Sequence, residues 1–111
     1  MNMALTYKVL GQSAPTAATL TSLYTVPSAT YAIINSVVVC NTGSTATTFR
    51  VSVAQNGAAD TLAQYVAREV AINGNSTTEL ALGITMDAAD ILRVYSTSGS
   101  LSFNAFGVEI V

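Results

Sequence analysis

Between Lys8 and Arg50 the chain runs 41 residues, Val9 to Phe49, without a charged side chain. Three kinds of segment fit such a run: a membrane span, an uncharged linker, or a folded piece whose surface lies against something. A membrane helix needs about 20 mostly apolar residues in succession. Apolar runs here stop at about four, as from Val37 to Cys40, so a membrane span is not expected. Disordered linkers are poor in β-branched and aromatic residues. This stretch holds Leu20, Leu23, Tyr24, Val26, Tyr31, Ile33, Ile34, Val37, Val38, Val39 and Phe49. That density of strand formers predicts a folded segment.

The period is that of strands. In TTFRVSVA, Phe49, Val51 and Val53 share one face, and Thr48, Arg50 and Ser52 the other. In TTELAL, Thr78, Leu80 and Leu82 alternate with Thr77, Glu79 and Ala81. In DILRVYS, Leu92 and Val94 oppose Ile91, Arg93 and Tyr95, a strand covered on both sides. The run LSFNAFGVEIV changes phase between Ala105 and Phe106. Either a bulge near Ala105–Gly107 restores the phase, or the strand is buried on both faces.

Turn residues punctuate these runs at Gly11 to Pro15, Pro27 to Thr30, Asn41 to Ser44, Asn56 to Asp60, Asn73 to Ser76, Met86 to Asp90 and Ser98 to Ser100. Strands are expected near 5–10, 19–26, 31–40, 47–54, 63–72, 77–82, 90–96 and 101–110. The one segment that suits a helical turn is Asp87 to Asp90, where Asp87 either caps it or forms an Asx turn. The spacing predicts an all-β, single-domain chain over residues 1–111. The expected architecture is an antiparallel β-sandwich of about eight strands, jelly-roll-like.

The chemistry that the residues permit is narrow. With no His and one Cys, the chain has no His-dependent acid–base or nucleophilic catalysis and no His/Cys zinc site. No P-loop, GxGxxG, GxSxG or HExxH pattern occurs. The closest carboxylates are Asp87 and Asp90, which suit a turn, although such a pair could also meet Ca²⁺. Cys40, in VVVC, is expected to be a small buried hydrophobe. No cofactor is expected, and the chain is read as non-enzymatic. Four basic residues and a net charge of −2 argue against a nucleic-acid partner. MNMALTYKVL lacks the basic start and long apolar run of a secretory signal, so synthesis in a cytoplasm is expected.

Charged residues make up only 9% of the chain, and 15 Thr and 11 Ser supply polarity instead. Interface cores are depleted in charge, so this composition predicts a component of an oligomer or assembly. Arg68 interrupts the face of Val66, Val70 and Ile72. It is expected to protect a sheet edge or to pair with Glu69 or Glu79.

The segments LGQSAP, TLTSLYTVPSAT, VVVCNTGSTATTFRVSVAQNGA and LSFNAFGVEI together resemble small virion proteins of tailed bacteriophages. That group has a similar "LGQ…P" opening, "LYTVP" strand ending and closing "SF…FG.E" strand. The likeness runs in order along nearly the whole chain. Its members often have Gly two residues after the VP, where this chain has Ala29, and YVAREVAINGNS is less typical.

The resemblance implies a structural role on the capsid surface, as a decoration or cement protein bound to the major capsid protein. It also implies self-association, often as a homotrimer, and synthesis in the host cytoplasm. A tail or adsorption-apparatus module is the alternative, and a carbohydrate-active enzyme using Asp87 or Asp90 a third. Tyr and Arg dominate interface hot spots, so Tyr7, Tyr24, Tyr31, Tyr65 and Arg68 are the candidate interface residues.

Overall fold

The computed structural model describes residues 3–111. In chain order its strands are β1 (Leu5–Ser13), β2 (Thr21–Thr25), β3 (Tyr31–Asn41), β4 (Thr47–Ala54), β5 (Tyr65–Ile72), β6 (Thr77–Leu80), β7 (Ile84–Met86), β8 (Ile91–Ser96) and β9 (Leu101–Ile110). They form two antiparallel sheets. The first runs β1-β9-β3, with β6 and β7 both paired to β3; the second runs β2-β8-β4-β5. Packed face to face, they make the β-sandwich expected from the alternation.

The ninth strand comes from a break. β6 pairs with Val37–Cys40 of β3, and β7 with Ala32–Ile34. Between them Gly83 takes a φ of +59°, which only glycine adopts without strain. Counted as one interrupted strand, β6 and β7 restore eight. The pairing is then nested: β1 with β9, β2 with β8, β3 with β6 and β7, β4 with β5. Only β4 and β5 are consecutive partners within one sheet. A long hairpin folded over onto itself in this way is a jelly roll.

The core lies between the sheets. Phe49, Val51, Leu92 and Val94 of the second sheet meet Ile34, Val37, Val39, Leu101, Phe103 and Ala105 of the first. Phe49 and Phe103 pack edge to face, 6.0 Å between centroids at 75°, the geometry that aromatic quadrupoles favour.

Several local expectations are corrected. β1 continues through Gly11 to Ser13, where a turn was expected. A Cβ on Gly11 would lie 2.1 Å from the Leu23 carbonyl oxygen, so only glycine allows this approach of β1 to β2. Asp87 to Asp90 is a turn rather than a helical one; single 3₁₀ turns lie at Gln55–Gly57 and Leu62–Gln64. β9 carries no extra residue. The insertions are in its neighbours, Leu10 in β1 and Asn35 in β3. Phe106, Val108 and Ile110 therefore lie on the face opposite Leu101, Phe103 and Ala105. Cys40 also lies on that outer face, half-buried, with Thr77 and Ser102 as strand partners.

Candidate interaction surface

The five residues expected at an interface separate into three places. Tyr7 and Tyr31 stand on the outer face of the first sheet, 76% and 60% exposed. Tyr65 and Arg68 lie on β5, one edge of the second sheet. Tyr24 is withdrawn from the surface altogether.

Tyr24 is 8% exposed and points inward beside Leu92, because β2 carries an extra residue at Leu23 that shifts its register. Its hydroxyl donates to Oε2 of Glu109 at 2.6 Å. Lys8 holds Oε1 of the same carboxylate at 2.7 Å. The Lys8 ammonium, and then the Tyr24 hydroxyl, hold the Glu109 carboxyl below its usual pKa. Burial, and then the Glu109 carboxylate, push the Tyr24 phenol well above its usual value. Tyr24 thus anchors the last strand to the core.

On β5, the expected ion pair forms with a different arginine. Glu69 bonds to Arg50, whose guanidinium also stacks 4.2 Å from the centroid of Tyr95. Arg68 instead sits 5.5 Å over the ring of Tyr65, whose hydroxyl donates to Asp60 at 3.0 Å. Burial, and then Asp60, raise the Tyr65 phenol above its usual pKa. Arg68 is on an edge strand, as edge protection requires.

Around Tyr7 and Tyr31 the registers assemble a wider surface. Leu5, Ile110 and Tyr31 form one cross-strand row, and Tyr7, Val108, Ile33 and Thr85 the next. Val9, Phe106 and Ser36 form a third. None of these residues is charged, and Leu5, Tyr7, Val9, Tyr31 and Phe106 all stand out as exposed large hydrophobics. The next row turns polar: the Gln12 amide donates to Asn104 at 2.7 Å, and Glu79 lies opposite Val38. Beside Tyr31 and Ile33 the surface dips into an open recess of about 450 Å³, bounded also by Met86, Asp87 and Ile110.

The carboxylates at that recess serve the backbone. Asp90 Oδ1 accepts from the Asn56 N–H and Oδ2 from the Asp87 N–H, both at 2.8 Å. Asp87 Oδ1 accepts from the Ala88 N–H at 2.7 Å. Both residues are turn builders, and among the described residues no group of three or more His, Cys, Asp or Glu is placed to hold a metal ion.

Tyr7 and Tyr31 were singled out by residue type, and both are exposed. Leu5, Val9, Phe106 and Ile110 were not singled out, although the alternation in LTYKVL and the doubly apolar β9 were their signals. No family model, curated protein or solved structure gives a significant match to the chain.

Proposed function

We propose that the chain is a non-enzymatic structural subunit of a phage virion, of the capsid decoration or cement type. The single observation that carries the reading is the uncharged apolar face that exposes Leu5, Tyr7, Val9, Tyr31 and Phe106. Large exposed apolar patches on small soluble domains mark protein contacts. The resemblance of LGQSAP, LYTVPSAT and LSFNAFGVEI to small phage virion proteins supplies the kind of assembly. The jelly roll agrees with it, since the fold recurs in viral capsid proteins, but the fold also serves lectins and cupins and decides nothing alone.

The partners in this reading are the major capsid protein and further copies of the chain, with the capsid surface as the site of action. The part of the face on β3 and β9, with Tyr31, Ile33 and Phe106, lies against the shell. Each copy adds a modest contact across joints between shell subunits, and many copies together give avidity.

The test is co-sedimentation of the purified protein with expanded shells that lack it, followed by heating of the decorated shells. Bound protein and a raised shell disruption temperature are expected, both lost in Tyr31→Ser with Phe106→Ser. Protein that ignores shells yet binds purified tails would move the chain to the adsorption apparatus. Protein that binds neither, while remaining folded, would falsify the virion reading.

A further inference from the structure

A strand at a sheet edge leaves a row of N–H and C=O groups unpaired, a template for another strand. This sandwich has four such edges, and three are blunted. β5 is bulged at Val66 and again at Arg68–Glu69, where Glu69 takes a φ of +54°. β2 is five residues long and bulged at Leu23. β6 and β7 are four and three residues long, interrupted at Gly83.

The first half of β1 has none of these devices. Leu5 to Val9 pairs with β9 without a break. Ala4 and Val111 exchange both backbone bonds, at 3.1 and 3.0 Å. Antiparallel alternation from that pair turns the N–H and C=O of Leu5, Tyr7 and Val9 away from β9. Among the described residues no backbone group pairs with them. The side chains of these same three residues stand on the outer face, 55%, 76% and 47% exposed. Lys8 is the one charge on the segment, and an edge lysine ordinarily repels a second strand. Here Glu109 ties it back and neutralises it.

We propose that β1 of a second copy of this chain pairs antiparallel with Leu5–Val9, about a two-fold axis at Tyr7. This register sets Tyr7 against Tyr7 of the other copy, and Leu5 against Val9. All three outward-facing residues then exchange bonds, about six in total. Their side chains form one apolar strip on one face, with the two tyrosines meeting at its centre. Thr6 falls opposite Lys8, so no like charges meet. An axis at Lys8 would set the two lysines side by side, and an axis at Thr6 would set Val9 against Met3, which lies outside the strand.

Leu5, Tyr7, Val9 and Met3 are all exposed large hydrophobics that the pairing gathers along one seam. The inference does not rest on the virion reading, because the pairing needs no shell. It differs from the three-fold grouping that the resemblance implies, since an isologous contact closes a dimer.

Sedimentation equilibrium of the full chain tests it. A species of twice 11.4 kDa is expected. Tyr7→Pro deletes an outward N–H and leaves the β9 ladder intact. It is expected to keep the circular dichroism of the native chain and to sediment as monomer. A second readout is covalent. In a Cys40→Ser background, Tyr7→Cys is expected to give a disulfide-linked dimer on mild oxidation, since paired Cα atoms about 5.5 Å apart lie within disulfide reach. Ala71→Cys, on the bulged β5 edge, stays unlinked. A monomer at every concentration, or any oligomer that neither responds to Tyr7→Pro nor links through Tyr7→Cys, would overturn the proposal. If Tyr7→Pro proves unfolded, the disulfide result decides alone.

Discussion

Tyr24 and Glu109 lie 85 positions apart in sequence, yet the phenol donates to the carboxylate at 2.6 Å. The bond ties β9, the last strand of one sheet, to β2 at an edge of the other. Tyr24→Phe removes the donor and leaves Lys8 as the one charged partner of Glu109. A loss of about 1–2 kcal/mol is expected in urea denaturation at neutral pH.

The same carboxylate makes stability depend on acid. Its folded pKa is depressed below 4.5, by the Lys8 bond first and the Tyr24 bond second. Its contribution is therefore complete above 4.5 and is lost as pH falls through the lower folded value. The stability gap between the native chain and Glu109→Gln should persist at neutral pH and close in strong acid. The Tyr24 phenol works in the opposite sense. Its folded pKa lies above 10.0, so its contribution holds below that value and fades as pH rises past it. Tyr24→Phe should abolish that alkaline loss.

Ala29 sits in the turn between β2 and β3 with a φ of +55°. An L residue with a Cβ costs about 1–2 kcal/mol in that conformation. Glycine relieves it but gives the unfolded chain more freedom, which offsets part of the gain. Ala29→Gly is expected to raise stability by up to about 1 kcal/mol in the same urea assay.

Gly107 makes the reverse case. A Cβ there would fall 2.0 Å from the Ile33 carbonyl oxygen on the neighbouring strand. Gly107→Ala must push β3 and β9 apart, at a cost of about 3 kcal/mol or more. A thermal midpoint within a degree of the native chain would contradict that packing.

Asp90 is 8% exposed, and its two carboxylate oxygens serve two backbone donors. Asp90→Ala strands both N–H groups, and a loss of about 2–4 kcal/mol is expected. Because the carboxylate is already engaged, added Ca²⁺ should leave the thermal midpoint of the native chain unchanged. A midpoint that climbs with Ca²⁺ would show that the turn binds the ion.

Ser52 is fully buried, and its hydroxyl has no hydrogen-bond partner. It lies between Arg93 and Tyr65 in the register of the second sheet. Removing an unpaired buried polar group relieves a desolvation penalty. Ser52→Ala should be neutral or stabilising in denaturation, where an unremarkable buried serine would lose stability.

Alternation showed well which residues share a face and poorly which face meets the core. Phe49 and Val51 were read together, and both are core. Leu5, Tyr7 and Val9 alternate just as cleanly, yet they face outward. Period alone carries no sign; the sign comes from where the other sheet lies, and that depends on distant partners. The phase change in LSFNAFGVEIV was a real signal with a hidden cause. Its compensating insertions, Leu10 and Asn35, sit on strands far away in sequence. Tyr24, an interface candidate by residue type, is drawn inward by the bulge at Leu23, which belongs to a pairing with β8 that no local pattern reveals. The charge-free run Val9–Phe49 is partly explained: Val9 and Tyr31 contribute to an uncharged outer face, while Leu23, Tyr24, Val26 and Phe49 are core.

The nesting of strand pairs also sets an order in time. β4 and β5 are the only consecutive strands that pair with each other, so theirs is the pairing with the smallest loop to close. Each later pair, β3 with β6 and β7, then β2 with β8, closes onto a loop already shortened by the one before. β1 and β9 come last, from opposite ends of the chain. Folding should thus proceed as a zipper from the middle outward, slowly, as non-local β-pairing does. Until the final step, β9 presents the same kind of open edge that β1 keeps in the finished molecule, and the two compete for any free strand nearby.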